Sequence, residues 1–144
     1  MSRQIAPTDP AVVTVGSIHG GTKHNVIPNE VKLQLTLRSY TDEVRNETIS
    51  SIEKIVRGSA IAAGLDEEYY PIVEIKDEYT PAVFNNPDLV DKLQQSFVKS
   101  LGSENVIKVS PVMGGEDFGM FGRVEPIIPT ALFWLGAVLS LIHI

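Results

Sequence analysis

Between Glu30 and Tyr40 the chain alternates without a break, and this constrains its fold more than any other feature. Val31, Leu33, Leu35 and Leu37 fall on one side, Lys32, Gln34, Thr36 and Arg38 on the other. A period of two places successive side chains on opposite faces of a strand, so the segment predicts a strand with one dry and one polar face. Such a strand needs a partner strand and a layer over its dry face, which excludes an all-helical chain. Ahead of it, Ala11–Val15 is a short β-branched run ended by Gly16, predicting a buried strand. Ile18–Pro28 between them is expected to be a Gly-rich loop.

Helical spacing takes over after Tyr40. Thr41 is a candidate N-cap, Asp42 and Glu43 suit the positive end of the helix dipole, and Ile52, Ile55, Val56, Ala60 and Ala63 form the expected apolar stripe. Gly64 is the expected stop. Tyr70–Ile75 then predicts another strand. The order strand, strand, helix, strand matches the later part of a split βαβ, ferredoxin-like sandwich, with its first strand and helix expected upstream. Polar residues and Pro81 make Asp77–Asn86 a connector. A second helix is expected from Pro87 at its first position to Gly102 beyond its end, with Leu89, Val90, Leu93, Phe97, Val98 and Leu101 inward. Val106–Val109 is strand-like, a helical turn is expected up to Phe121, and Thr130–Leu135 predicts a strand buried on both faces. The fold class is α/β (α+β).

Composition removes several function classes. The 144 residues carry a net charge of −6 with no cluster of Lys and Arg, which argues against nucleic acid or an anionic membrane as partner. The absence of cysteine excludes a disulfide scaffold, a thiolate nucleophile and a Cys-based zinc site. No window approaches the roughly 18 apolar residues of a membrane span. Residues 1–9 have no signal-peptide core and are expected to be a connector; the location expected is cytoplasmic, with a native start missing.

Two stretches could carry chemistry. The first holds His19, His24 and Asn25 in the glycine-rich loop, with Arg38 thirteen residues after Asn25. Glycines let backbone N–H groups approach an anion, an Asn amide donates and accepts, and an Arg on a strand offers a planar fork to a carboxylate. Together Asn25 and Arg38 could hold the carboxylate and amide of an acylated amino acid. Equally, Gly20–Gly21 could be plain turn residues and Arg38 an ordinary charge on a polar face. The His pair, five residues apart with no third ligand nearby, is weak as a metal site. The second stretch is Met113-Gly114-Gly115-Glu116-Asp117-Phe118. Its glycines free N–H groups for an anion and its acids could move a proton, or Glu116 and Asp117 could simply favour the start of the next helical turn.

The run Gly20–Pro28, GGTKHNVIP, followed by a strand ending in Arg38, closely resembles the lid-domain segment of the aminoacylase and hippurate-hydrolase-like amidohydrolases, in the dinuclear zinc carboxypeptidase and deacylase superfamily. Gly114-Gly115-Glu116-Asp117-Phe118 is similar to a run near the C-terminal end of that family's catalytic domain. The resemblance implies a partial dimerisation lid over residues 10–76 and a C-terminal part of the catalytic domain over 77–138. It implies hydrolysis of an amide in N-acyl amino acids or small peptides, with Asn25, Arg38, Gly114, Gly115 and Glu116 as substrate-binding residues. It also implies two divalent ions, zinc or manganese, and a homodimer formed through the lid. The metal ligands, the general-base Glu and the lid His are all expected outside this chain, so the chain alone is expected to be inactive. Leu139–Ile144 reads as the translation of CTGTCTCTTATACACATC, a transposase-end adapter, so that hexapeptide is expected to be non-native and His143 is set aside as a ligand. A Gly-Gly-Asp-Glu-Phe motif marks diguanylate cyclases, but here the acids stand in the opposite order. The alternative from another class is a non-catalytic small-molecule-binding or dimerisation module.

Overall fold

The computed structural model describes residues 4–136. The chain divides into two compact units, the first ending at Ala82 and the second starting at Val83. That division lies within the polar Asp77–Asn86 stretch.

The first unit is built on a hairpin. Strand β1, Ala11–Gly20, pairs antiparallel with β2, Val31–Ser39, in a two-stranded sheet. The strand expected to stop at Gly16 therefore continues to Gly20. Its alternation breaks at Gly16 because the ladder carries an irregularity there: Val15 faces Leu35, yet Ser17 faces Gln34. One extra residue in β1 restores the alternation beyond the break. Val13, Val15 and Ile18 share the apolar face with Leu37, Leu35 and Leu33, while Thr14, Ser17 and His19 share the polar face with Thr36, Gln34 and Lys32. The expectation of a buried strand also fails. Val15 and Ile18 are 48% and 65% exposed, because helical cover reaches only the Ala11/Ser39 end of the ladder, where Val13 and Leu37 are half-buried.

That cover is α1, Asp42–Ala62, which packs on both strands. The Thr41 side chain accepts from the Val44 N–H at 3.3 Å, the expected cap, worth about 1 kcal/mol. At the other end Gly64, at φ 73°, donates to Ile61 O and Leu65 donates to Ala60 O, closing the helix in the left-handed geometry that glycine tolerates. The stripe differs from expectation. Thr48, Ser51 and Ala60 are buried, whereas Ile55 is 48% exposed. Thr48 and Ser51 tolerate burial because their hydroxyls donate to the Val44 and Glu47 carbonyls, each at 2.7 Å.

Tyr70–Ile75 is extended but joins no ladder among the described residues, a second departure. In a split βαβ sandwich the last strand pairs with the first, and the first is the strand expected upstream. Pro71 also removes one ladder donor from this segment. A short 3₁₀ turn, Glu67–Tyr69, precedes it, and Arg57 ties that turn to α1 through Glu67 at 2.9 Å.

In the second unit α2 runs from Pro87 to Leu101. The Asn86 side chain accepts from the Leu89 N–H at 3.0 Å, and Gly102, at φ 87°, ends the helix. Leu89, Val90, Leu93 and Phe97 are half-buried, and Phe97 meets Phe133 edge-on at 5.0 Å. Neither Val106–Val109 nor Thr130–Leu135 forms a ladder strand, and Trp134 is 76% exposed rather than buried on both faces. An apolar run of that kind needs sheet neighbours on both sides. Here one short segment flanks it: Asn86 N–H donates to Thr130 O at 2.8 Å. Beside it, the Asn85 amide imitates a strand, donating to Leu132 O at 2.9 Å and accepting from Leu132 N–H at 2.8 Å. Asn85→Ala is expected to speed hydrogen exchange at the Leu132 amide by roughly tenfold, since a net bond of about 1 kcal/mol or more is lost. Unchanged exchange there would show that the pair of bonds does not hold this segment.

Candidate functional site

The hairpin positions one pair of the expected site residues. Arg38 lies on the polar face of β2 opposite Val12, at the end of the ladder closed by Ala11 and Ser39. Asn25 lies in the exposed loop beyond Gly20 and Val31, at the other end, in a turn where Val26 N–H donates to Lys23 O at 3.4 Å. Gly21, at φ 75°, gives that loop its left-handed step. Arg38 and Val31 are seven residues apart on β2, or roughly 23 Å at the usual rise of a strand. The ladder therefore places Arg38 and Asn25 at opposite ends of the hairpin and does not gather them around one carboxylate. Neighbouring positions in the sequence suggested a shared site; the straight strand between them supplies the distance.

Of the two histidines, His19 belongs to β1 and stands opposite Lys32, while His24 sits in the loop near Asn25; both are exposed. Lys32 is engaged with Glu30 at 3.3 Å, a surface pair. Among the described residues no three His, Asp or Glu side chains cluster as metal ligands would.

In the second unit Gly114, Gly115 and Glu116 are exposed, ahead of the 3₁₀ turn Asp117–Arg123. Glu116 Oε1 accepts from the Phe118 N–H at 3.3 Å, so its carboxylate caps the turn. That matches the structural alternative for this residue, and a carboxylate so placed can still face a ligand. A Cβ on Gly114 or Gly115 would meet nothing within 4 Å, so protein packing does not demand glycine at either position. The cross-strand neighbours of Arg38, Val12 and Thr14, escaped the sequence reading, since their register passes through a segment whose pairing only the fold reveals. His143 and Leu139–Ile144 lie outside the described residues.

The chain matches the sequence profile of peptidase family M20/M25/M40 over residues 5–144, a span that takes in Leu139–Ile144 without setting it apart. It is 37% identical to an N-acetyldiaminopimelate deacetylase of Streptococcus sanguinis (strain SK36) over 137 residues, covering 94% of this chain and 34% of that protein. It is 33% identical to thermostable carboxypeptidase 2 of Saccharolobus solfataricus over 126 residues, covering 87% of this chain and 30% of that protein. A crystal structure from methicillin-resistant Staphylococcus aureus, described as that of an aminohydrolase, superposes with a TM-score of 0.66 at 25% identity, over 85% of this chain and 30% of the other. The chain thus spans about a third of the length of these relatives. No helix among the described residues is long and apolar enough to cross a membrane. With its α/β fold and a match that runs over nearly its whole length, the chain belongs to peptidase family M20/M25/M40.

Proposed function

We propose that the protein to which this chain belongs is a metal-dependent amidohydrolase that cleaves the amide bond of N-acyl amino acids or small peptides. The observation that carries this reading is the family match together with Arg38, an exposed guanidinium on the polar face of a strand, whose planar fork suits a substrate carboxylate. A deacetylase and a carboxypeptidase among the relatives both have names that imply hydrolysis next to an amino acid. Gly114, Gly115 and Glu116 belong to the same proposal as residues of the substrate cleft. Asn25 is a further binding residue, reaching its ligand from the tip of the hairpin, so it and Arg38 of one subunit do not share one carboxylate.

Two divalent ions, zinc or manganese, are the expected cofactor. The described residues offer no cluster that fits them, and no step on this chain is routed through a metal. Residues 10–76 are proposed as part of the dimerisation lid and 77–138 as part of the catalytic domain. A homodimer through the lid is supported by the outer edge of β1, which pairs with nothing among the described residues.

The full-length protein is expected to release free amino acid from N-acetyl amino acids, to lose that activity on chelation and to regain it with zinc or manganese. The chain by itself should show no turnover. Metal-independent binding of these compounds with no hydrolysis by the full-length protein would favour the non-catalytic binding module instead.

A further inference from the structure

We propose that Thr14 and Thr36 form a specificity pair beside Arg38 that receives the polar end of the substrate's amino-acid side chain, a reading that rests on Arg38 as the carboxylate anchor. The register places Thr14 directly opposite Thr36, on the face that carries Arg38. Thr36 is two residues from Arg38 on β2, so the threonine rung lies about 7 Å along the strand from the guanidinium row. That separation suits a ligand with its carboxylate on Arg38 and a side chain of glutamine length laid along the sheet.

Availability distinguishes this rung from the next one. Ser17 donates to Gln34 at 2.7 Å, so those two polar groups satisfy each other. Thr14 and Thr36 are exposed, and neither hydroxyl makes a hydrogen bond within the described residues. Each can donate to a ligand carbonyl or accept from a ligand amide. The face also has a charge preference. None of the residues that the ladder places there, Thr14, Ser17, His19, Lys32, Gln34 and Thr36 beside Arg38, is acidic. The carboxylate of Glu30, just ahead of β2, is engaged by Lys32, and a basic ligand side chain laid along the threonine rung would approach the Arg38 charge.

The test uses the full-length protein with N-acetyl-L-glutamine, N-acetyl-L-norleucine and N-acetyl-L-lysine as substrates. kcat/KM is expected to favour the glutamine derivative over the norleucine derivative by roughly tenfold, the size of one or two net hydrogen bonds. The lysine derivative should be the poorest of the three. Thr14→Val with Thr36→Val keeps the branched shape a strand favours and should bring the glutamine-to-norleucine ratio close to one. A fold defect would lower both rates and leave the ratio alone, so the ratio reports on recognition. An unchanged ratio in the double variant, with Arg38→Ala still impairing both substrates, overturns the threonine pair and leaves the carboxylate anchor standing. If Arg38→Ala changes neither rate, both readings fall.

Discussion

Heated on its own, the chain is expected to lose structure over a broad range with no sharp transition, and to bind a hydrophobic dye before heating begins. The cause is an unfinished core. Among the described residues the buried side chains are small: Thr48, Ser51, Ala60 and Pro81. Meanwhile Ile18, Ile27, Ile72, Phe84, Ile107 and Trp134 are each more than 60% exposed. Each large apolar side chain left in water forgoes about 1.5–3 kcal/mol that full burial would contribute. Cooperative unfolding needs a shared core, and two units with so little buried apolar surface have none to share. Calorimetry of the isolated chain checks this; a narrow transition with the enthalpy expected for its length would refute it. The same exposure, with edges of β1 and β2 that pair with nothing among the described residues, predicts concentration-dependent aggregation.

Replacing Arg38 by Ala in the full-length protein is expected to lower kcat/KM for N-acyl amino acids by roughly a hundredfold, the product of two charge-assisted hydrogen bonds. The loss should fall mainly on KM, because the carboxylate is held alike in the ground and transition states. Arg38→Lys should recover little, since an ammonium is a point charge and cannot meet both oxygens with a rigid fork. The control is a substrate whose carboxylate is capped as a primary amide. It already lacks the group that Arg38 is proposed to hold, so the variant and the parent should treat it alike. An equal loss on the capped compound would mean that Arg38 acts on the structure of the site and not on the substrate's acid group.

Local chemistry was the part of the fold that the sequence made legible. Thr41, Gly64, Asn86–Pro87 and Gly102 mark helix ends because capping is settled within a few residues, and both helices start and stop where those residues stand. The alternation of β2 was equally plain. The strands expected at Tyr70–Ile75, Val106–Val109 and Thr130–Leu135 depended on partners elsewhere, and pattern alone cannot supply a neighbour. At the site, residue types were readable and distances were not. Asn25 and Arg38 stood close in sequence, yet a straight strand carries them apart; Thr14 and Arg38 stood far apart in sequence, yet the hairpin brings them together.

Gly16 gives β1 a change of phase. Upstream of it the odd-numbered residues Val13 and Val15 look toward the dry side, and downstream the even-numbered Ile18 does. Were Gly16 removed, Ser17 would follow Val15 directly and still face Gln34, so Ile18 would stay on the dry side and His19 on the polar one, while β2 stayed as it is. Length changes here are therefore governed by parity: a loss of one residue, the unpaired Gly16, leaves every remaining side chain on its own side, whereas a loss of two would set the two halves of the strand against each other.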